Sequence, residues 1–394
     1  MNSYKYTSQI KSDNLEIGKY EQYIDLYSAY KKTENEDYIS VGVKSTDDYK
    51  IIPGVNVIAG MTGHGKSMLA NSIAYRAVEK GLNVAYVTLE ISKENMFYQM
   101  LSIKSYEDCC YGENLISHTT IKNRQLTSTQ EDFVFNKLWP EFKSMKGNLY
   151  ILTEWEFDTT NSGSLQSKLF EIEDYSIKQT GRGIDMLIVD YIQLFKQYKS
   201  NEHVQGEYSV LSRWVDDFRK MSLNYLGQNK QIPVVLLSQL NRDAWNDDKT
   251  RYKAYAKNNA YLKDSTDKSN DYAPSKRRKS VNVPNVVISI SQIAGCTEIA
   301  KSADQIFAVY SDESCKASKQ CLISVIKCRN GETRMEPIIS FMDPQYYIMG
   351  CNQKGIGESY NGDIFDLLSI RENVDKKYGT QDDNFTFDFD DMQV

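Results

Sequence analysis

Histidine is scarce in this chain of 394 residues, with three copies, and long apolar runs are missing. No stretch approaches the ~18 apolar residues that a membrane span needs. The start, Met1 to Lys11, has no basic-then-apolar leader pattern. The seven cysteines (Cys109, Cys110, Cys296, Cys315, Cys321, Cys328 and Cys351) are odd in number and scattered. No pair of them has the two-residue gap of a zinc knuckle, and with so few imidazoles available the ligand spacing of a thiolate-metal site is lacking. No internal repeat is found. These absences point to a cytoplasmic protein with no membrane contact and reduced cysteines, several of them in core strands.

Apolar residues make up 41% of the chain and charged residues 25%, the balance of a globular protein rather than a disordered one. The length suits one large α/β domain with insertions, or a core with a small satellite. The net charge of −6 argues at first sight against a nucleic-acid partner, but the charge is segregated, and segregated charge matters more than its sum. Residues 244–286 carry ten Lys or Arg against five Asp, and the last fourteen residues carry five Asp and no base.

Residues 1–50 are polar and rich in tyrosine, with one helix expected from Leu15 to Lys32. From Ile51 the pattern alternates between short apolar strands and amphipathic helices. Strands are expected at Val55–Ala59, Val84–Thr88, Leu149–Leu152, Met186–Val189 and Val234–Leu237, and helices at Lys66–Lys80, Lys93–Tyr106, Thr127–Met145, Leu165–Lys178 and Tyr208–Leu226. Strands that are apolar throughout belong to a parallel sheet covered on both faces. A long basic insert interrupts the rhythm from about residue 244 to 286. Strands follow at Gln305–Tyr310, Leu322–Cys328, Met335–Phe341 and Tyr346–Met349, the second and third joined by a turn at Asn330-Gly331. The fold expected is therefore α/β: a mostly parallel twisted sheet with helices on both faces and a C-terminal antiparallel hairpin. The division expected is an N-terminal arm (1–40), a main domain (41–350) and an extension (351–394) that ends in an acidic tip.

The run Gly60-Met61-Thr62-Gly63-His64-Gly65-Lys66-Ser67 matches the P-loop pattern in full, between a strand and a helix as that motif requires. Glycines let consecutive N–H groups face one anion, and a helix start adds its positive dipole end. Residues Gly60 to Met68 are the expected ATP cradle, with Lys66 on the β- and γ-phosphates and the Ser67 hydroxyl on Mg²⁺. His64 reads as a permissive loop position, not a catalyst. A carboxylate for Mg²⁺ is expected beyond an apolar strand end, and Met186-Leu187-Ile188-Val189-Asp190 supplies it, although a strand-capping aspartate gives the same pattern. Glu90 ends the strand expected beside the P-loop strand and is the candidate general base; a glutamate near the N-cap of the next helix would look alike. Gln239 is placed to sense the γ-phosphate, or is a plain loop glutamine.

In order along the chain stand the P-loop, Val87-Thr88-Leu89-Glu90-Ile91-Ser92, Leu187-Ile188-Val189-Asp190-Tyr191-Ile192-Gln193-Leu194, Ser238-Gln239-Leu240-Asn241-Arg242 and Lys327-Cys328-Arg329-Asn330-Gly331. This series resembles the motor domain of DnaB-type replicative helicases, within the RecA-like superfamily of P-loop NTPases, over about residues 40–350. The resemblance implies a ring, usually of six subunits, that hydrolyses ATP between neighbours and moves 5′ to 3′ on single-stranded DNA during replication. It implies that Lys327 and Arg329 reach the neighbour's γ-phosphate; from the residues alone, two bases on one exposed strand face would look the same. It implies DNA contacts in the loops after Asp190 and Gln239, through Lys196, Lys199, Arg251, Lys253, Lys276, Arg277, Arg278 and Lys279. Aromatic residues interleave the second of these loops, as a single-strand site requires, though a merely solvated insert has the same composition. About fifty residues precede the core, fewer than the family's usual N-terminal domain, which binds primase. Primase, a loader and a single-strand-binding protein are the further partners the family implies. The expected setting is bacterial cytoplasm, or host cytoplasm for a phage-borne chain. A recombinase-like filament, a regulatory ATPase switch and a nucleotide-dependent scaffold stand as the alternatives.

Overall fold

A computed structural model describes residues 39–40, 50–109, 114–195, 207–228, 230–240, 288, 290–293, 296–317, 319–329, 331 and 333–350. The helix expected at Leu15 to Lys32, the basic insert, the acidic tip and all eight expected DNA contacts lie outside these residues.

Two short strands, β1 (Ile39–Ser40) and β2 (Lys50–Ile51), pair antiparallel apart from the main sheet. The main sheet contains β3 (Gly54–Gly60), β4 (Val84–Thr88), β5 (Leu149–Thr153), β6 (Met186–Asp190), β7 (Pro233–Gln239), β8 (Gln305–Tyr310), β9 (Gln320–Cys328), β10 (Arg334–Asp343) and β11 (Ile348–Met349). Its order is β11-β10-β9-β8-β3-β7-β6-β4-β5. From β8 to β5 all neighbours are parallel, and β9, β10 and β11 extend the sheet antiparallel. The α/β class, the parallel core and the C-terminal hairpin thus agree with the sequence pattern. One placement does not: β4 is not beside β3, because β7 and β6 lie between them. Strand order depends on how crossovers pack, and local pattern carries no record of it.

The helices are α1 (Lys66–Glu79), α2 (Lys93–Cys109), α3 (His118–Lys122), α4 (Ser128–Phe133), α5 (Trp139–Lys143), α6 (Ser162–Thr180), α7 (Glu207–Leu223), α8 (Cys296–Ser302) and α9 (Glu313–Ala317). Helix α3 has no periodic signal because it spans little more than one turn. The expected helix from Thr127 to Met145 is continuous but changes pitch: a π-helical turn, Val134–Leu138, separates α4 from α5. That turn ends two residues before Pro140, whose ring cannot sit above the carbonyl four residues back in α geometry.

Side chains alternate across each strand, so every apolar strand feeds two cores. Val55, Val57 and Ala59 of β3 join Leu187 and Val189 of β6 and Trp214 and Phe218 of α7 on one face. Ile58, Met186 and Ile188 join Leu69, Ile73 and Ala77 of α1 on the other. A small third cluster, from Leu101 to Leu138, packs α2 against α4 and the π-helical turn.

Trp214 is fully buried, with its ring centroid 4.1 Å from that of Phe195 and 5.9 Å from that of Phe218. Truncating such a side chain removes its transfer energy and leaves a cavity. Trp214→Ala is therefore expected to destabilise the domain by ~3–5 kcal/mol, read as a lower urea midpoint at unchanged slope.

Candidate functional site

The candidate site lies at the carboxyl ends of the parallel strands, where an open α/β sheet exposes its loops. Strand β3 delivers Gly60, the loop turns, and α1 begins at Lys66. Gly65 caps α1 at φ 93° with no side chain bonded to the first turn. Few L-residues adopt that dihedral, and a Cβ on Gly65 would stand 2.7 Å from Met349 Cε. The glycine therefore serves both the turn and the close packing of loop on hairpin. The N–H groups of the first turn are left for an anion.

Around this helix start is a cavity of about 260 Å³, lined by Thr62, Gly63, Gly65, Lys66, Ser67 and Met68 from the loop and α1. Glu90, Asp190 and Gln239 line its other side. Three strand ends thus converge, although β7 lies between β3, which leads into the P-loop, and β6, which ends in Asp190. Glu90 reaches the cavity from two strands further away than expected, because Leu89 runs on beyond β4 and its N–H donates to the Asp190 carbonyl at 2.9 Å.

The Lys66 ammonium donates to the Met61 carbonyl at 3.0 Å, across the mouth of the loop. Burial lowers its pKa, while the carboxylates of Asp190 and Glu90 act in the opposite direction. The Asp190 carboxyl is pushed up to about 6, chiefly by burial. A hydrogen bond with Ser67 and one from the Tyr86 phenol, at 3.4 Å, hold it down. Asp190 and Ser67 therefore present adjacent oxygens in a poorly hydrated place. Among the described residues no cluster of three or more His, Cys, Asp or Glu could hold a metal ion unaided.

His64 is buried, with its ring 5.0 Å from that of Tyr310 in edge-to-face contact. Burial, then Lys316 and Lys66, bring its pKa down to about 4. It is neutral near pH 7, in keeping with a structural rather than an acid–base role. A histidine depressed in the folded state stabilises fully above its unfolded pKa, and that stability is lost as pH falls through 6.5 towards 4. The wild type should lose up to ~3 kcal/mol more than His64→Gln across this window, measured as the difference in urea stability between pH 7 and pH 4. Parallel curves for the two proteins would contradict it.

Three tyrosines at this site, one of them within the Asp190-Tyr191 run, are not among the expected site residues. Tyr347 lines the cavity from the turn between β10 and β11, at φ 59°, and its phenol is hydrogen-bonded with Ser67 and Gln99. Tyr191 lines it too, hydrogen-bonded to Gln239. Tyr86 lies inside β4 and bonds Asp190. Gln239 is tied further to Gln193, whose side chain accepts from the Gln239 N–H at 3.4 Å and donates to Ser238 Oγ at 2.7 Å.

Lys327 and Arg329 are not brought to this cavity. Lys327 pairs in register with Ile306 of β8, and Ile306 with Val57, three residues before Gly60. At ~3.3 Å per residue Lys327 lies roughly 10 Å back along the strands, and Arg329, two residues on, lies further still. Arg329 stands one residue beyond β9, yet both side chains turn to α8: Lys327 Nζ donates to the Ala300 and Ala303 carbonyls, and Arg329 to that of Lys301.

Known proteins are similar to this chain in sequence and in fold. Residues 52–343 match the model of the DnaB-like helicase C-terminal domain. A probable plasmid replicative DNA helicase of Chlamydia psittaci is 28% identical over 220 residues, which is 55% of this chain and 42% of that one. The replicative DNA helicase DnaB of Leifsonia xyli subsp. xyli is 27% identical over 188 residues, 47% of this chain and 35% of that one. The chain thus spans less than half the length of either relative. Two solved structures share the fold at 16% identity and a TM-score of 0.58. One is a DnaB-like replicative helicase studied with primase, aligned over 86% of this chain and 68% of its own. The other is a separately solved ATPase domain, aligned over 84% of this chain and 98% of its own. With the family model covering well over half its length, the chain belongs to the DnaB-like helicase C-terminal domain family.

Proposed function

We propose that this chain is the motor of a replicative DNA helicase, a ring of six subunits that hydrolyses ATP between neighbours and moves 5′ to 3′ on single-stranded DNA. The observation that carries this reading is the convergence of Lys66, Ser67, Glu90, Asp190 and Gln239 on one cavity in a chain of this family. Lys66 exchanges the Met61 carbonyl for phosphate oxygens, to which the N–H groups of the α1 first turn also donate. Ser67 and Asp190 fit a magnesium ion, since a hard cation takes oxygen ligands and completes its shell with phosphates and water. Bound there, Mg²⁺ would neutralise charge on the β- and γ-phosphates. Glu90, which faces the cavity, accepts the proton of the attacking water. Gln239 reports loss of the γ-phosphate through Tyr191 and Gln193 to the segments after Phe195 and Leu240.

Those segments carry the DNA contacts in this reading: Lys196 and Lys199 in one, and Arg251, Lys253, Lys276, Arg277, Arg278 and Lys279 in the other. Cations neutralise the backbone, and the interleaved rings stack bases. Lys327 and Arg329 lie too far from their own cavity to serve it, so the site they complete is that of the next subunit. A forked duplex with a 5′ tail tests the reading: ATP-dependent strand separation is expected from the wild type and none from Lys66→Ala. Hydrolysis without strand separation at any salt concentration would remove the helicase reading and leave a regulatory or filament-forming ATPase.

A further inference from the structure

We infer that Asp304 is a positioning residue, which holds Arg329 in the orientation it needs to meet a neighbouring subunit's nucleotide. The inference rests on the role in trans proposed for Arg329. Asp304 follows α8 and is buried. One of its carboxylate oxygens accepts from the Val55 N–H at 2.9 Å, and the other pairs with Arg329 Nη1 at 2.8 Å. The backbone ties the same two segments to it: the Asp304 N–H donates to the Val55 carbonyl at 2.7 Å, and the Arg329 N–H to the Asp304 carbonyl at 2.8 Å. Gly54 makes the arrangement possible. Its φ is 124°, and a Cβ there would stand 2.5 Å from Asp304 Oδ2. Asp304 is thus anchored to the start of β3, the strand that ends in the P-loop.

Three cations gather at the end of α8. Besides Lys327 and Arg329, Arg219 of α7 donates to the Ser302 carbonyl and lies 3.5 Å from Asp304 Oδ2. Helix C-terminal carbonyls attract cations, and Asp304 adds a counter-charge that is hydrogen-bonded to the sheet at Val55. Arg329 is held by this carboxylate and the Lys301 carbonyl while 39% of its side chain stays exposed. A guanidinium fixed on one side and open on the other has already lost its rotamer freedom. The entropy of ordering it is then not charged to the transition state.

In Asp304→Asn the single remaining oxygen serves the Val55 N–H, and the amide NH₂ faces Arg329, so the guanidinium loses its anchor. The turnover number should fall roughly 10- to 100-fold, as for a misplaced transition-state group, with the KM for ATP and the binding of a fluorescent ATP analogue little changed. A purely structural role gives a different result in mixed oligomers. Lys66→Ala subunits have intact Arg329 but cannot use ATP; mixed with Asp304→Asn subunits, they should restore hydrolysis at the Asp304→Asn cavities. The pair Lys66→Ala with Arg329→Ala, run in parallel, calibrates the recovery. Recovery in that pair and none with Asp304→Asn overturns the positioning role and leaves Arg329 in trans. No recovery in either pair, or full activity of Arg329→Ala alone, overturns both. If Asp304→Asn does not bind nucleotide, Asp304→Ser, whose hydroxyl can still accept from Val55, takes its place in the same mixtures with the same outcomes.

Discussion

Glu90→Gln is expected to lower the turnover number for ATP by about 10²–10⁴-fold, the range over which a positioned general base contributes. The substitution keeps the length of the side chain and its place in the cavity, and removes only the ability to take a proton. Glu90 lies across the cavity from Lys66, and the bond from the Leu89 N–H to the Asp190 carbonyl fixes the segment that carries it. Nucleotide binding should therefore survive, and single-turnover hydrolysis should be the step that fails. If turnover is unchanged, Glu90 is not the base and the water is activated by another group.

Arg329→Ala carries the largest expected effect, about 10³–10⁵-fold in turnover number, which is what a basic finger contributes to phosphoryl transfer. Its signature differs from that of Glu90→Gln. The loss should come with an unaltered cavity in the same chain, because the guanidinium is bound to Asp304 and the Lys301 carbonyl at the far ends of β3 and β8. Analogue affinity measured on dilute, dissociated chains should match the wild type, and the defect should grow with assembly. A defect of equal size in dissociated chains would place Arg329 in its own site, against the strand register.

Part of this site is legible in the sequence, and the rest is hidden for physical reasons. The P-loop can be read because strand, glycine turn and helix are contiguous, and each residue type answers a local demand of the backbone. Asp190 and Gln239 can be read because each ends an apolar strand, and the carboxyl ends of parallel strands share one edge. Glu90 is legible for a reason that is only partly right: its strand is separated from β3 by β7 and β6. Tyr347 is hidden because its contact with Ser67 depends on the β10–β11 turn folding under α1, nearly three hundred residues further along the chain. The partners of Lys327 and Arg329 are equally hidden. Two bases near a strand end predict exposure, and only the tertiary placement of the α8 C-terminus turns them towards its carbonyls. The π-helical turn before Pro140 escapes a periodicity that averages over one extra residue.

The loop from Gly60 to Ser67 is expected to hold the triphosphate. Equilibrium titration of a fluorescent ATP analogue with Mg²⁺ addresses it directly, on wild type and on Lys66→Ala. Saturable uptake approaching one nucleotide per chain is expected for the wild type, abolished or strongly weakened in the variant and competed by unlabelled ATP. Equal uptake by both proteins, or none by the wild type, would contradict it.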